Sequence, residues 1–283
     1  MLIKHYENFP IASYYLPRNI RPAILAIYRL ARHANDVVND TNTPQEQRLK
    51  SMEALTHAVT CAEQNQVVFD NHVLAVAPFM KQYHLSWFLW QDLLSALKQN
   101  VIVQRYISYD HLLNYCARSA NSIGRLIMPI YGIPHHATSY FDALCTALQL
   151  ISFWQNIAED EEKGKRYLPD HDVINAGLSI ELSLGEYVHH FAWAGLIEQQ
   201  LQRAENLLYQ SAPLLNVTKG RIRWELAMAI AGGARIIYKI RTVKGNVFAF
   251  KPQLGLADTP ILLYDAIQWI RRGSKQYHDS IYR

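Results

Sequence analysis

Long apolar runs, paired cysteines and basic runs are all missing from this chain of 283 residues. No uninterrupted apolar stretch approaches the ~20 residues that span a bilayer. The N-terminus, Met1-Leu2-Ile3-Lys4-His5-Tyr6-Glu7-Asn8, does not read as a secretory signal. These two gaps predict a cytoplasmic protein, soluble or attached peripherally to a membrane. Cysteine is scarce: Cys61, Cys116 and Cys145 are widely spaced and form no CxxC pair. An odd count at such spacing argues against a disulfide framework and for a reducing compartment. No Lys/Arg-rich run is present, and a net charge of +4 is too small to imply nucleic acid as a partner. A mildly basic surface does suit anionic membranes or phosphorylated substrates. Sustained two-residue alternation is also absent, which removes sheet architectures. No linker, composition shift or repeat divides residues 1–283, so one all-α domain is the simplest expectation.

Half of the residues are apolar, ample for a sizeable core, and 11% are aromatic, with 17 Tyr and 6 Trp. That suits a helical shell with an aromatic-lined cavity, and a plain core nearly as well. Apolar periodicity predicts helices from Pro22 to about Asp40, from Pro44 to about Glu63, and over 69–82, 85–103, 109–131, 137–162, 183–211, 219–243 and 257–273. Gly132-Ile133-Pro134 marks a break, 164–185 reads as a loop with one short helix, and 245–260 as an irregular connection.

Three of these helices carry a polar stripe. On the first, Ile24, Ile27, Leu30, Ala31, Ala34, Val37 and Val38 take one side at about 100° per residue. Tyr28, Arg29, Arg32, Asn35, Asp36, Asn39 and Asp40 take the other. Residues four apart stand nearly above one another, so Asn35 pairs with Asn39 and Asp36 with Asp40. A solvated surface face would give the same gross pattern. Against it, the arginines lie one turn before the acids, and the usual Glu/Lys pairs are missing.

On 109–131, His111, Asn114, Tyr115, Arg118, Asn121, Ser122 and Arg125 share a face. Gly124 costs ~1 kcal/mol relative to Ala in a helix, which suggests a close approach by a neighbour or ligand. Arg118, Arg125 and Asn121 fit supporting structure equally well. On 137–162, Gln149, Asn156, Asp160 and Lys163 draw a narrow polar line along an otherwise apolar helix. Buried polar atoms need partners, so a structural hydrogen-bond network is the competing reading. Lys163-Gly164-Lys165-Arg166-Tyr167-Leu168-Pro169 follows and supplies mobile basic groups just past the carboxylate.

Two helices with oxygen side chains at four-residue spacing can face each other and hold Mg²⁺ against a diphosphate. Mg²⁺ takes hard oxygen ligands, typically one or two carboxylates with phosphate oxygens and water. Ionising a prenyl diphosphate leaves charge on the departing group, which must be stabilised. The carbocation left behind needs an apolar, aromatic cavity with cation–π support.

The motifs and their order resemble the squalene/phytoene synthase family, and within it the bacterial hydroxysqualene synthases of hopanoid biosynthesis. The stretches that carry the resemblance are Tyr6-Glu7-Asn8-Phe9-Pro10-Ile11-Ala12-Ser13 and Ile27-Tyr28-Arg29-Leu30-Ala31-Arg32 with its Asn/Asp cluster. They continue with Leu113 to Leu126, Ala147 to Asp160, Gly164 to Pro169 and Ala231-Gly232-Gly233-Ala234-Arg235-Ile236. The resemblance implies a single-domain isoprenoid (terpenoid) synthase helical fold with a central cavity. It implies presqualene diphosphate and water as substrates, hydroxysqualene and diphosphate as products, Mg²⁺ as cofactor and no NADPH. Condensing squalene, phytoene or presqualene diphosphate synthases, and a catalytically silent prenyl-diphosphate-binding homologue, are the alternatives. The implied metal set is Asn35, Asp36, Asn39, Asp40, Asn156 and Asp160. Tyr28, Arg29, Arg32, Lys163 and Arg166 would bind the diphosphate. Tyr115, Arg118, Asn121 and Tyr167 form the expected catalytic set, with Arg118 or Asn121 holding the water. A long-chain product further implies delivery to the inner face of the cytoplasmic membrane and contact with upstream and downstream squalene-pathway enzymes.

Four positions depart from the family pattern. The first motif usually reads Asp-Asp-x-x-Asp where this chain has Asn35-Asp36-Val37-Val38-Asn39, the second usually opens with Asp where Asn156 stands, and Asn100 also stands where relatives tend to carry Asp. At ~4 Å and an effective dielectric near 20, each lost unit-charge pair removes roughly 4 kcal/mol before desolvation. A weakened, even dispensable, Mg²⁺ site is therefore expected, and one diphosphate suits it better than two.

Overall fold

A computed structural model describes residues 17–40 and 42–272; the Tyr6 to Ser13 stretch lies outside them. Pro22 sits in the first turn of α1 (Arg21–Asn39), where its missing N–H costs nothing. The apolar stripe of α1 is buried as its periodicity requires, with Ile24, Leu30, Ala34 and Val38 fully covered. Then come α2 (Gln45–Glu63), α3 (Asn71–Gln82) and α4 (Phe88–Ile102). Asp70 caps α3 by accepting from His72 N and Val73 N, both at 2.9 Å. Beyond them lie α5 (Tyr109–Arg118), α6 (Ala120–Ile130), α7 (Thr138–Gln155) and α8 (Ile157–Glu162). The chain continues through α9 (Asp170–Asn175), α10 (Leu184–Tyr187), α11 (Trp193–Ser211), α12 (Leu214–Val217), α13 (Gly220–Thr242) and α14 (Thr259–Arg272). The described residues hold no strand, only an isolated bridge between Arg105 and Arg166.

Three expected helices are interrupted. The 109–131 segment bends at Ser119, where ψ is −83° and the hydroxyl donates to Tyr115 O at 2.8 Å. The 137–162 segment bends at Asn156, with φ −106° and ψ 15°. At both bends the ladder continues on either side: Asn156 N donates to Ser152 O and Asp160 N to Asn156 O. These are kinks in continuous helices, at residues whose short polar side chains compete with the backbone. The 183–211 segment splits completely into α10 and α11.

α7 is the axis of the fold, packed against α5, α6, α11 and α13, while α1 packs on α2, α3, α4 and α6. One apolar cluster runs from Ala23 on α1 to Trp269 on α14. Burying each such large side chain contributes about 1.5–3 kcal/mol. Gly124 is where α6 crosses α7: a Cβ there would overlap Cys145 Sγ and stand 3.1 Å from Phe141. No described helix is long and apolar enough to cross a membrane.

Candidate active-site cleft

The polar stripes of α1 and of the kinked α7–α8 helix face one another across a cleft of about 300 Å³. Arg32, Asn35, Asp36 and Asn39 line one wall; Gln149, Ser152, Asn156 and Asp160 line the other. Both rows follow three- and four-residue steps, as one face of a helix requires. Lys163, Lys165 and Tyr167 enter from the segment after α8, Tyr115 from α5 and Asn100 from α4.

The α1 wall is internally tied. Arg32 Nε donates to both carboxylate oxygens of Asp36 at 2.9 Å. Asn39 Nδ2 donates to the backbone oxygen of Asn35 at 2.9 Å and to its Oδ1 at 3.0 Å. Lys165 Nζ then crosses the cleft and donates to Asn39 Oδ1 at 2.9 Å. On the opposite wall burial pushes the Asp160 carboxyl up to about 6, while the neighbouring Lys163 and Lys165 pull it back. Burial likewise lowers Lys165 to about 8, against the opposing pull of Asp160.

Aromatic rings close the floor. Phe153 and Tyr167 stack with centroids 3.7 Å apart and planes 8° from parallel. Tyr115 lies 6.2 Å from each, and Tyr106 stacks on Tyr167 at 5.6 Å. Burial holds the Tyr167 phenol well above its ordinary pKa, so it stays protonated and donates to Asn100 Oδ1 at 3.1 Å. The cleft therefore presents cations at its mouth and quadrupolar ring faces beneath, an arrangement that holds an anion and shields a carbocation.

Of the residues expected from sequence, Arg32, Asn35, Asp36, Asn39, Tyr115, Asn156, Asp160, Lys163 and Tyr167 meet in this cleft. Six do not line it. Asp40 leaves the helix with ψ 94° and instead accepts from Asn42 N and Thr43 Oγ1. Its four-residue pairing with Asp36 is lost because α1 ends one residue earlier. Arg29 is turned about 120° from Asn35 around the helix axis. It lines a separate groove with Arg18, Arg21 and Phe79. Tyr28 hydrogen-bonds Arg32 from outside the cleft lining. Arg118 is drawn to α4, donating to Ser95 Oγ at 3.0 Å and to Gln99, as well as to Asn114. Asn121 is buried against α7, where it accepts from Thr146 Oγ1 at 2.9 Å. Arg166 points the other way, donating to the backbone oxygens of Ile180 and Leu182 and pairing with Glu161.

Lys165 is the cation that sequence reading passed over in favour of Arg166. The segment is extended where Arg166 bridges to Arg105, and in extended chain neighbouring side chains alternate. Lys165 and Tyr167 therefore share the cleft face while Arg166 takes the opposite one. The backbone of the segment is tied to its neighbours. Lys165 N donates to Asp160 O, and Arg166 N to Gln104 O, both at 2.8 Å. Gln149, which shares the polar line of Asn156 and Asp160, also lines the cleft, as do Ser152 and Phe153, which sequence reading missed as site residues.

The cleft lining holds two carboxylates, Asp36 and Asp160, fewer than a cluster of several Mg²⁺ ions calls for. Among the described residues no group of three or more His, Cys, Asp or Glu side chains could hold a metal ion. Asp36 is engaged by Arg32, and the oxygens of Asn35 and Asn39 already accept N–H donors.

Comparison with known proteins supplies the lineage. A hydroxysqualene synthase of Zymomonas mobilis is 30% identical over 209 residues, covering 73% of this chain and 69% of that protein. A hydroxysqualene synthase of Rhodopseudomonas palustris is 28% identical, covering 83% of this chain and 80% of that one. The crystal structure of a squalene synthase from Alicyclobacillus acidocaldarius superposes with a TM-score of 0.77 at 24% identity, over 86% of this chain and 90% of that one. The squalene/phytoene synthase family model matches residues 2–258. The facing polar helices and their cleft are thus those of a family member, and the chain belongs to the squalene/phytoene synthase family.

Proposed function

We propose that this enzyme of the isoprenoid pathway converts presqualene diphosphate and water to hydroxysqualene and diphosphate. The observation that carries the reading is the convergence of Lys163 and Lys165 in the cleft that the stacked Phe153 and Tyr167 rings also line. The cations hold one diphosphate. The C–O bond breaks heterolytically and its electron pair leaves with that diphosphate. The rings shield the cyclopropylcarbinyl cation as it rearranges. A water oxygen then forms the new C–O bond and releases a proton. The cleft volume stands at the low end of the roughly 300–1,000 Å³ of ligand pockets, which suits one diphosphate headgroup and not two. The hydroxysqualene synthases among the relatives support the same choice.

The test is to incubate the purified protein with presqualene diphosphate and, separately, with farnesyl diphosphate, each with Mg²⁺ and with EDTA. Hydroxysqualene from the first substrate alone is the expected result. Consumption of farnesyl diphosphate would replace this reading with condensation. Binding without turnover would make the chain a silent homologue, a reading that the amides at 35, 39 and 156 favour.

A further inference from the structure

The cleft has only two carboxylates, Asp36 and Asp160, and a lysine ammonium reaches across it. Lys165 Nζ lies 2.9 Å from Asn39 Oδ1 on α1, with the Asp160 carboxylate facing it from α8. The ammonium thus sits between the two oxygen-bearing walls. We infer that Lys165 is the resident counter-cation of this cleft, and that the diphosphate group binds to it without divalent metal. The inference rests on the reading of the cleft as a diphosphate site.

Four observations converge on it. Lys165 is placed by the backbone on both sides: its N–H is held by Asp160 O, and the next residue is fixed to Gln104 and bridged to Arg105. An ammonium has three donors, and Asn39 uses one, so others remain for phosphate oxygens. Charge also balances in favour of an anion. Arg32 and Asp36 cancel as an ion pair, one Nε–H shared by both carboxylate oxygens, which leaves Lys163 and Lys165 against the single carboxylate of Asp160. Finally, the amides explain themselves. An aspartate at 39 would pair with Lys165 and consume its charge, whereas the Asn39 amide oxygen, with its Nδ2 held by Asn35, orients the ammonium and leaves the charge for the ligand. What looks in sequence like decay of a metal motif is, in three dimensions, a match between one amide, braced by a second, and a lysine.

Calorimetric titration of the full chain with inorganic pyrophosphate, in EDTA and in Mg²⁺, tests this. The expected result is binding in EDTA with an affinity within about threefold of that in Mg²⁺. Lys165→Gln keeps a hydrogen-bond donor and removes the charge; it should weaken binding in EDTA by about tenfold or more. Lys165→Arg should retain most of the affinity, and thermal unfolding of both variants shows whether the fold is kept. Asn35→Asp with Asn39→Asp should lose affinity in EDTA and regain it with Mg²⁺. Wild-type binding that requires Mg²⁺, or a Lys165→Gln variant that binds as tightly in EDTA as wild type, overturns the inference and leaves the diphosphate site standing. A wild-type protein that binds pyrophosphate under neither condition overturns the site itself.

Discussion

The cleft and the α11–α13 face solve opposite electrostatic problems with similar residues. On α11–α13, Arg241 donates to Glu198 and Glu205 through five hydrogen bonds of 2.7–3.1 Å, and Glu205 is buried. Nearby, Arg203 and Gln200 saturate the buried Asp172. Each carboxylate there is met by donors in fixed geometry. In the cleft, Asp160 faces Lys163 and Lys165 as neighbouring charges, and burial raises its pKa instead of pairing lowering it. A saturated network holds helices together; an unsaturated one leaves charge for a ligand. That contrast separates structural from functional polar residues better than burial does, because both groups are largely covered.

Removing the network's hub should give the largest effect. Arg241→Met leaves Glu205 buried without its guanidinium and is expected to lower unfolding free energy by about 3–5 kcal/mol, read by urea denaturation. Lys165→Gln in the cleft should cost no more than about 1 kcal/mol by the same measurement. Equal losses in the two variants would erase the distinction. Next in size is Gly124→Ala, which forces a Cβ onto Cys145 and Phe141 at the α6–α7 crossing. About 1–3 kcal/mol of stability should be lost through overpacking, without direct damage to the cleft charges.

Glu225 provides a pH test of unsaturation outside the cleft. Burial raises its carboxyl to about 7, only partly offset by the neighbouring Tyr131 hydroxyl. The unfolded value lies near ~4.3. Between these values the folded state keeps a proton that the unfolded state releases. The contribution is therefore complete below the unfolded pKa and lost as pH rises through about 7. Glu225→Gln should raise Tm at ~pH 8 and change it little at ~pH 4, in thermal scans at both values. The smallest effect belongs to Asp40→Ala. Because Asp40 serves the 42–43 turn, pyrophosphate affinity should stay within about twofold of wild type by calorimetry. A tenfold loss would return Asp40 to the site.

The α1 wall was legible because a helix maps sequence spacing directly onto a face: 32, 35, 36 and 39 needed no partner to be grouped. The same rule placed 149, 156 and 160 together, and the Asn156 kink left the four-residue relation of 156 to 160 intact. It failed where helical geometry stopped. Asp40 lies one residue past the end of α1, and 165–167 follow the two-residue alternation of extended chain, so Lys165 and Arg166 exchanged roles. Arg118 and Asn121 share a helical face with Tyr115, yet neighbours on α4 and α7 claimed them.

By itself, then, the sequence determined the helical class, the apolar faces and two oxygen-bearing stripes, since each depends on local periodicity and burial. Tertiary structure alone decided which stripes face each other, which basic residue crosses between them, and that the Asn39 amide meets a lysine there. Those outcomes depend on packing between segments more than a hundred residues apart, such as Asn39 and Lys165, 126 positions apart in sequence, and no local pattern encodes that distance.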